Sequence, residues 1–192
     1  MNRNKAAEKE EDAMGKKLLV ITSSLRKGSN TDALADAFAE GAEEAGNTVE
    51  TVTLKGKKIQ YCTGCLACQQ TEKCVLKDDA AKIAEKVKNA DVLAFASPVY
   101  YYSISGQLKT LLDRLNPLFP SDYRFRDVYF LSAAYEDEKT TVQGSVTAMK
   151  GWVDCFAKAR FAGTVFAGGV NTPGEIKGHK ALTEARKLGG KI

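Results

Sequence analysis

Five short apolar runs recur along the chain after its first fifteen residues, and polar residues or turn formers bound each run. Four are continuous and one alternates with polar residues. Short continuous apolar runs are typical of strands buried on both faces of a parallel sheet. The pattern predicts strands over residues 18–21, 49–54, 92–96, 128–131 and 163–167. The third strand is expected to end where Ser97-Pro98 interrupts its run.

Segments with apolar residues at helical spacing lie between these runs. They predict helices over residues 32–45, 79–89, 106–115, 142–159 and 179–188. Asp79 is expected to cap the second helix. Cys155 is expected to lie within the fourth helix, beside Trp152, Val153 and Phe156, and to be part of the core. Alternating strands and helices predict one doubly wound α/β domain, a three-layer sandwich with helices on both faces of the sheet. Right-handed crossovers favour the flavodoxin-like strand order 2-1-3-4-5, in which ligands bind at the carboxyl ends of strands one and three.

Composition narrows the class of protein. The 192 residues are 44% hydrophobic and 27% charged, which is typical of a globular domain, expected here over residues 16–192. Residues 1–15 are polar and are predicted to be a disordered extension. The chain has a net charge of +4, and its charged residues form no run of five like charges that would indicate a nucleic-acid or membrane partner. With no apolar stretch typical of a signal peptide or membrane helix, the expected location is the cytoplasm.

The loop after the first predicted strand offers groups that bind phosphate. We call it the phosphate loop, residues 22–31, with the sequence Thr22-Ser23-Ser24-Leu25-Arg26-Lys27-Gly28-Ser29-Asn30-Thr31. Hydroxyls and backbone N–H groups converge there on a helix N-terminus, and an arginine adds a forked donor. The fingerprints of ATP and dinucleotide loops are absent. The simpler interpretation is a polar connection in which Ser29 or Asn30 only caps the helix.

The loop after the third predicted strand contains three consecutive tyrosines, Tyr100-Tyr101-Tyr102. Consecutive side chains point in different directions, so at least one ring is expected to lie exposed or against a ligand. A planar aromatic ligand would suit this loop, and packing at a subunit contact is the alternative.

Both loops resemble signatures of the NADPH-dependent FMN reductase branch of the flavodoxin-like superfamily, over a match from about residue 17 to the C-terminus. The phosphate loop resembles the FMN-phosphate loop of that branch. Ser97-Pro98-Val99-Tyr100, with Gly106-Gln107-Leu108-Lys109 and Asp113-Arg114, resembles its second signature, which lines the flavin ring. The resemblance implies that the FMN phosphate is held by Ser23, Ser24, Arg26, Gly28, Ser29, Asn30 and Thr31. It implies that one side of the flavin ring is lined by Pro98, Val99, Tyr100, Tyr101, Tyr102 and Ser103. The other side of the ring would be closed by Ala133, Ala134 and Tyr135.

The resemblance implies an enzyme that takes hydride from NADH or NADPH and passes electrons to a small acceptor. Quinones, free flavins, azo or nitro compounds and metal ions are candidates. The flavin carries the chemistry, so no catalytic acid or base is expected. Residues 98–103 contain no Asp or Glu, so this loop should not oppose the charge of reduced FMN. His179 is expected on the surface or at a helix cap. In the resembling family the pocket is completed across a subunit contact, which implies a homodimer or tetramer.

Four of the five cysteines crowd into residues 62–74, the cysteine segment: Cys62, Cys65, Cys68 and Cys74. Four thiols at this spacing could converge on an iron–sulfur cluster or a zinc ion. The spacing resembles that of the iron–sulfur flavoproteins. A [4Fe–4S] cluster beside FMN would make the protein a one-electron carrier with a ferredoxin-like partner.

Free thiols are the alternative for these cysteines, because positions i, i+3 and i+6 share one helical face and cysteine is often a buried apolar residue. Hydride transfer through FMN needs no second redox centre. A binding module of the same fold that has lost its cofactor is the remaining alternative for the whole chain.

Overall fold

A parallel sheet of five strands runs through the centre of the protein in the computed structural model, which describes residues 15–192. The strands are β1 Lys17–Thr22, β2 Thr48–Thr53, β3 Val92–Tyr100, β5 Asp127–Ala133 and β6 Arg160–Ala167, and the short β4 Ser103–Ile104 pairs antiparallel with β3. The order across the sheet is β2-β1-β3-β5-β6. Counted over the parallel strands this is the predicted 2-1-3-4-5. The predicted disordered extension lies, except for Gly15, outside the described residues.

Helices cover both faces of the sheet. They are α1 Asn30–Glu44, α2 Cys68–Thr71, α3 Asp79–Asn89, α4 Gly106–Arg114, α5 Gln143–Val153 and α6 Lys180–Gly189, with a 3₁₀ turn over Asn116–Leu118. Among residues 15–192 we find no helix with the length and hydropathy needed to cross a bilayer.

Strand β1 shows why its whole run is apolar. Leu18 and Val20 pack into the core that α1 and α6 cover, whereas Leu19 and Ile21 pack into the core of α3, α4 and α5. Successive side chains of a strand point to opposite faces, so a strand between two helix layers needs apolar residues at every position. The sheet therefore separates two apolar cores, one on each of its faces.

Helices α1 and α6 pack so closely that glycine is required on both. A Cβ atom at Gly189 would lie 2.0 Å from the Phe38 carbonyl oxygen, and one at Gly41 would lie 2.0 Å from that of Arg186. The side chain of Arg186 adds an ion pair to Glu40. This contact holds the C-terminal helix against the helix that begins at the phosphate loop.

Strand β3 continues beyond the predicted end at Ser97-Pro98. Its last pairing with β1 joins Ala96 to Thr22, while its pairing with β5 continues to Pro98 opposite Ala133. Pro98 lies past the end of β1, so its missing N–H removes no hydrogen bond from that ladder. The prediction that proline ends this strand was therefore wrong.

Helix α5 is shorter than the predicted helix over residues 142–159. Beyond Val153 the chain continues in tight turns, in which Cys155 N donates to Trp152 O at 3.3 Å and Phe156 N donates to Val153 O at 2.9 Å. Phe156 turns back into the core against Trp152. Cys155 is exposed, so its predicted core position was wrong.

The structure tests two expectations about helix caps, those for Asp79 and His179. Asp78, rather than the predicted Asp79, caps α3, and its Oδ1 accepts a hydrogen bond from Ala80 N at 3.1 Å. His179 caps α6 by accepting from Ala181 N through Nδ1 at 3.1 Å. The capping role expected for the histidine is confirmed.

Candidate functional site

The ends of β1, β3 and β5 lie side by side at one edge of the sheet. Thr22 is paired with Ala96, and Pro98 with Ala133, so the loops that follow these three strands begin at the same edge. This is the switch point of the strand order, where doubly wound sheets bind their ligands.

The phosphate loop presents the N-terminus of α1. The Oγ of Ser29 caps the helix by accepting from Asp32 N at 3.0 Å. Within residues 15–192, the backbone N–H groups of Asn30 and Thr31 have no hydrogen-bond partner. Gly28 takes the left-handed conformation, with a φ of 62°. Unpaired N–H groups on a helix N-terminus fit the phosphate of FMN, which would accept from them.

Arg26 and Lys27 add exposed positive charge to this loop. The Nη1 atom of Arg26 donates to the carbonyl oxygen of Asn171 at 2.6 Å, in the connection between β6 and α6. The guanidinium therefore has one anchor and retains other N–H groups for an anion. Lys27 has no hydrogen-bond or ion-pair partner in the part of the chain that the structure describes.

The side chain of Asn30 is engaged in holding the connection to α6. Its Nδ2 donates to Thr172 O at 3.0 Å, and its Oδ1 accepts from Gly174 N at 3.1 Å and Ile176 N at 3.2 Å. Asn30 therefore offers a phosphate its backbone N–H, while its side chain fixes the neighbouring loop.

Four buried serines join the loops at this edge, and we call them the serine network: Ser23, Ser97, Ser105 and Ser132. Ser105 Oγ donates to Ser23 Oγ at 2.9 Å, and Ser23 Oγ donates to Ala96 O at 3.1 Å. Ser132 Oγ donates to Ser97 O at 2.9 Å, and Ser105 N donates to Ser97 Oγ at 2.9 Å. The structure thus places the Ser23 hydroxyl in this network, where it links β1 to β3.

The three tyrosines form the tip of a β-hairpin, residues 98–104, which we call the tyrosine hairpin. Tyr101 and Tyr102 both have positive φ, 48° and 62°, as in the two-residue turns that usually carry asparagine and glycine. Tyr100, Tyr101 and Tyr102 are 47%, 100% and 55% exposed. At least one exposed ring was expected, and all three are exposed. Left-handed backbone at two tyrosines is strain of the kind found at functional sites.

An acidic residue from another loop reaches this hairpin. The Tyr102 hydroxyl donates to Glu136 Oε1 at 3.1 Å, and Thr141 Oγ1 donates to Glu136 Oε2 at 3.0 Å. The hydrogen bond to Glu136 and its negative charge raise the pKa of Tyr102. The sequence of residues 98–103 contains no Asp or Glu, but the hairpin still has a negative charge beside it. That charge comes from Glu136, in the loop after β5.

The loop after β5 closes the third side of the site. Ala133 and Ala134 are buried, with Ala134 N donating to Ala167 O at 2.9 Å, whereas Tyr135 is 75% exposed. Helix α5 follows, and a Cβ atom at Gly144 would lie 2.2 Å from Tyr102 O. The glycine lets the start of α5 support the back of the tyrosine hairpin.

All four cysteines of the cysteine segment line one small cleft. Cys62 and Cys65 are exposed, Cys74 is half-buried and Cys68 is buried, and none is in a disulfide. Asn116 donates through Nδ2 to Cys68 Sγ at 3.1 Å. The cleft is lined by Cys62, Cys65, Cys68, Cys74, Arg114 and Asn116, among others. The predicted helical face for the cysteines was wrong, because only α2, which starts at Cys68, is helical.

The backbone of this segment favours a thiolate at Cys65. A hydrogen bond from the backbone of Ala67, followed by one from Thr63, lowers the pKa of the Cys65 thiol. Leu66, between them, has a left-handed φ of 58°. Across residues 15–192 no three His, Cys, Asp or Glu side chains are arranged to hold a single metal ion. A [4Fe–4S] cluster differs from such an ion, since it separates its four thiolates over four corners, and this donor set fits it.

Comparison with known proteins gives the class and then the family. An α/β sheet of this order, with a free helix N-terminus and an aromatic hairpin at its switch point, defines a flavodoxin-like flavoprotein. Residues 16–142 match the family model described as NADPH-dependent FMN reductase, and the chain belongs to this family.

Two relatives match most of the chain. An iron–sulfur flavoprotein of Archaeoglobus fulgidus is 33% identical over 181 residues, which cover 92% of this chain and 78% of the relative. YwqN of Bacillus subtilis, named as an NAD(P)H-dependent FMN-containing oxidoreductase, is 30% identical over 181 residues, or 90% of this chain and 96% of the relative. An iron–sulfur flavoprotein of Methanosarcina thermophila is 38% identical over 98 residues, about half of either protein.

Solved structures share the fold at low identity. The NAD(P)H:quinone oxidoreductase from Methanothermobacter marburgensis has a TM-score of 0.74 at 20% identity, over 92% of this chain and 96% of that one. An FMN-dependent NADH-azoreductase from Bacillus anthracis, in complex with FMN, has a TM-score of 0.66 at 18% identity, over 92% of this chain and 99% of that one. The predicted fold, the FMN cofactor and the NAD(P)H-dependent oxidoreductase class are confirmed.

Proposed function

We propose that FMN binds at the shared edge of β1, β3 and β5 and that the enzyme passes electrons from NAD(P)H to a small organic acceptor. The phosphate would accept from the backbone N–H groups of Asn30 and Thr31 and from Arg26, with Ser24 and Thr31 as hydroxyl donors. The flavin ring would lie against the tyrosine hairpin and the loop that contains Ala133, Ala134 and Tyr135. Bound FMN supplies the hydride chemistry, and the chain supplies binding and orientation.

The observation that carries this proposal is a pair of features that follow the neighbouring strands β1 and β3 at one edge of the sheet. Unpaired N–H groups on α1 suit a phosphate, and exposed tyrosine rings suit a planar ring system. Quinones and azo compounds are our preferred acceptors, because they are planar and could stack against a bound flavin ring beside the exposed tyrosines. Free flavin, nitro compounds and metal ions remain acceptors to assay.

Analysis of the purified enzyme tests the proposal directly. The protein would be purified anaerobically, and its spectrum, released FMN and rates of NADH and NADPH oxidation with each acceptor would be measured. We expect stoichiometric FMN and turnover with a quinone or azo acceptor. A colourless protein that neither binds FMN nor oxidises NAD(P)H would instead support the cofactor-free binding module.

A second candidate function adds a [4Fe–4S] cluster on Cys62, Cys65, Cys68 and Cys74. The observation that favours it is that all four cysteines line one cleft. The iron–sulfur flavoproteins among the relatives agree with this assignment. The cysteine segment follows β2, whose carboxyl end lies at the same edge as the FMN loops. Such a protein would exchange single electrons with a small acidic carrier of the ferredoxin type.

Metal and sulfide analysis separates the two candidates. The second candidate predicts iron and acid-labile sulfide in anaerobically isolated protein, and their loss in Cys65→Ser. Cys155→Ser is the matched control, because this exposed cysteine lies outside the segment. Protein that retains full NAD(P)H oxidation and holds no iron would leave the FMN reductase alone, with four free thiols.

Assembly and location complete the proposal. We propose that the protein forms a homodimer or tetramer whose subunit contact covers the exposed tyrosine hairpin. We also propose that it works in a reducing compartment such as the cytoplasm, which suits five cysteines without a disulfide.

A further inference from the structure

Arg114, the last residue of α4, is a charge buried beneath the cysteine segment, with 1% of its surface exposed. Its guanidinium donates two hydrogen bonds to Asp78, from Nη1 to Oδ2 at 2.7 Å and from Nη2 to Oδ1 at 3.0 Å. Nη1 also donates to Gln60 O at 2.8 Å, and Nη2 donates to Leu76 O at 3.3 Å. Gln60 precedes the first cysteine and Leu76 follows the last, so one side chain holds both ends of the segment.

The arginine also retains unused hydrogen-bonding capacity. Arg114 and all four cysteines line the same cleft, so its positive charge lies at the site that the cysteines share. In the part of the chain that the structure describes, its Nε is buried without a hydrogen-bond partner. A buried N–H without a partner is costly, and an anionic group in the cleft would satisfy it.

We propose that Arg114 is a positioning residue whose charge sets the reduction potential of the redox centre held by the cysteine segment, with Asp78 as its counter-charge. The inference rests on the second candidate function, a [4Fe–4S] cluster on the four cysteines. One-electron reduction adds a negative charge to a site that already carries four thiolates. A buried guanidinium nearby stabilises that reduced state, and the Asp78 carboxylate partly cancels it.

Two opposite charge deletions test this. Arg114→Gln leaves the Asp78 carboxylate without its counter-charge, so the reduced cluster should become about tenfold less favoured, which is 59 mV lower for a one-electron couple. Asp78→Asn leaves the guanidinium uncancelled and should shift the potential upward by a similar factor. Asparagine also caps helices well, so α3 should keep its N-terminus. The double variant should return toward the wild-type potential.

The measurement is an anaerobic potentiometric titration with redox mediators, with the cluster followed by electron paramagnetic resonance. Arg160→Gln is the matched control, because Arg160 pairs with Asp127 at the opposite end of the sheet and is largely exposed. That variant should leave the potential unchanged. If Arg114→Gln does not fold, Asp78→Asn and the double variant still give the sign of the effect.

The outcomes separate this inference from the function on which it rests. Wild-type protein without iron and sulfide would overturn both the cluster and the role of Arg114. A cluster whose potential shifts in the same direction in both single variants, or in neither, would overturn the role of Arg114 alone, because loss of packing does not depend on the sign of the deleted charge.

Discussion

Arg26 and Lys27 are adjacent cations in the phosphate loop, and the structure distinguishes them. Arg26 is anchored to Asn171, whereas Lys27 has no partner within residues 15–192. A guanidinium held near its ligand loses less freedom on binding than a free lysine, and its planar fork matches phosphate oxygens. The assignment of the FMN phosphate to this loop therefore leads to different expectations for the two residues.

We predict that Arg26→Ala weakens FMN binding by roughly 1.5–3 kcal/mol, the typical value of a hydrogen bond to a charged group. Lys27→Ala should change it by much less. Titration of deflavinated protein, followed by quenching of FMN fluorescence, measures both. Equal affinities in the two variants and the wild type would remove Arg26 from the phosphate site.

The buried pair of Asp78 and Arg114 gives a pH prediction. Burial alone raises the pKa of Asp78, but hydrogen bonds from Arg114 and from the Gln60 backbone outweigh it and hold that pKa below its usual value. A carboxyl with a lowered pKa in the folded state stabilises the fold above its unfolded pKa of about 3.9, and this contribution is lost as the pH falls through the folded value.

Asp78→Asn should therefore lower the free energy of unfolding by roughly 3 kcal/mol at neutral pH, since it leaves Arg114 buried without its counter-charge. The difference between the wild type and the variant should stay constant down to about pH 4 and shrink at lower pH. Urea unfolding over this pH range provides the measurement. A difference that grows on acidification would contradict the ion pair.

Sequence reasoning at this scale worked where the chemistry is local. The helix caps at Ser29 and His179 depend on residues close together in the chain, and both lie where their sequence predicts. The serine network and Glu136 were missed, because Ser23 meets Ser105 and Tyr102 meets Glu136 only through the fold. Serines at the ends of otherwise apolar strands were the available signal for the network.

At the scale of elements, the tyrosine hairpin is the feature that periodicity could not predict. The sequence Ser97-Pro98 predicts the end of β3, whereas the strand continues to a turn of Tyr101 and Tyr102. Tyrosines in a left-handed turn oppose local preference, by about 1–2 kcal/mol for each residue. Local propensity and fold disagree here, which is expected where a sequence is constrained by function.

We predict that the double substitution Y101N/Y102G stabilises the protein and impairs the enzyme. Asparagine and glycine suit this turn, so the melting temperature should rise by about 2–4 °C for each kcal/mol of relieved strain. Loss of the rings should lower turnover with planar acceptors. Thermal unfolding and steady-state kinetics on the same preparations test this, and a variant with unchanged stability and unchanged turnover would refute it.

At the scale of the whole molecule, the exposed aromatic residues are concentrated at one edge. Tyr61, the three tyrosines of the tyrosine hairpin and Tyr135 are all exposed and follow the carboxyl ends of β2, β3 and β5. The two apolar cores and the strand order followed from the hydrophobic pattern, because buried parallel strands leave a clear signal. A subunit contact at this edge would leave no such signal in the sequence, since exposed tyrosines also suit a ligand.

We predict that the protein is a homodimer or tetramer whose contact includes the tyrosine hairpin, because tyrosine is enriched where interfaces bury aromatic surface. Sedimentation velocity should show the wild type as an oligomer and Tyr101→Ser shifted toward monomer with weaker FMN retention. Phe119→Ser is the matched control: Phe119 is 56% exposed but belongs to none of the three loops that follow β1, β3 and β5, and its loss should leave assembly unchanged. A wild-type monomer with full FMN occupancy and full turnover would show that one chain completes the site and that the tyrosines serve the ligand alone.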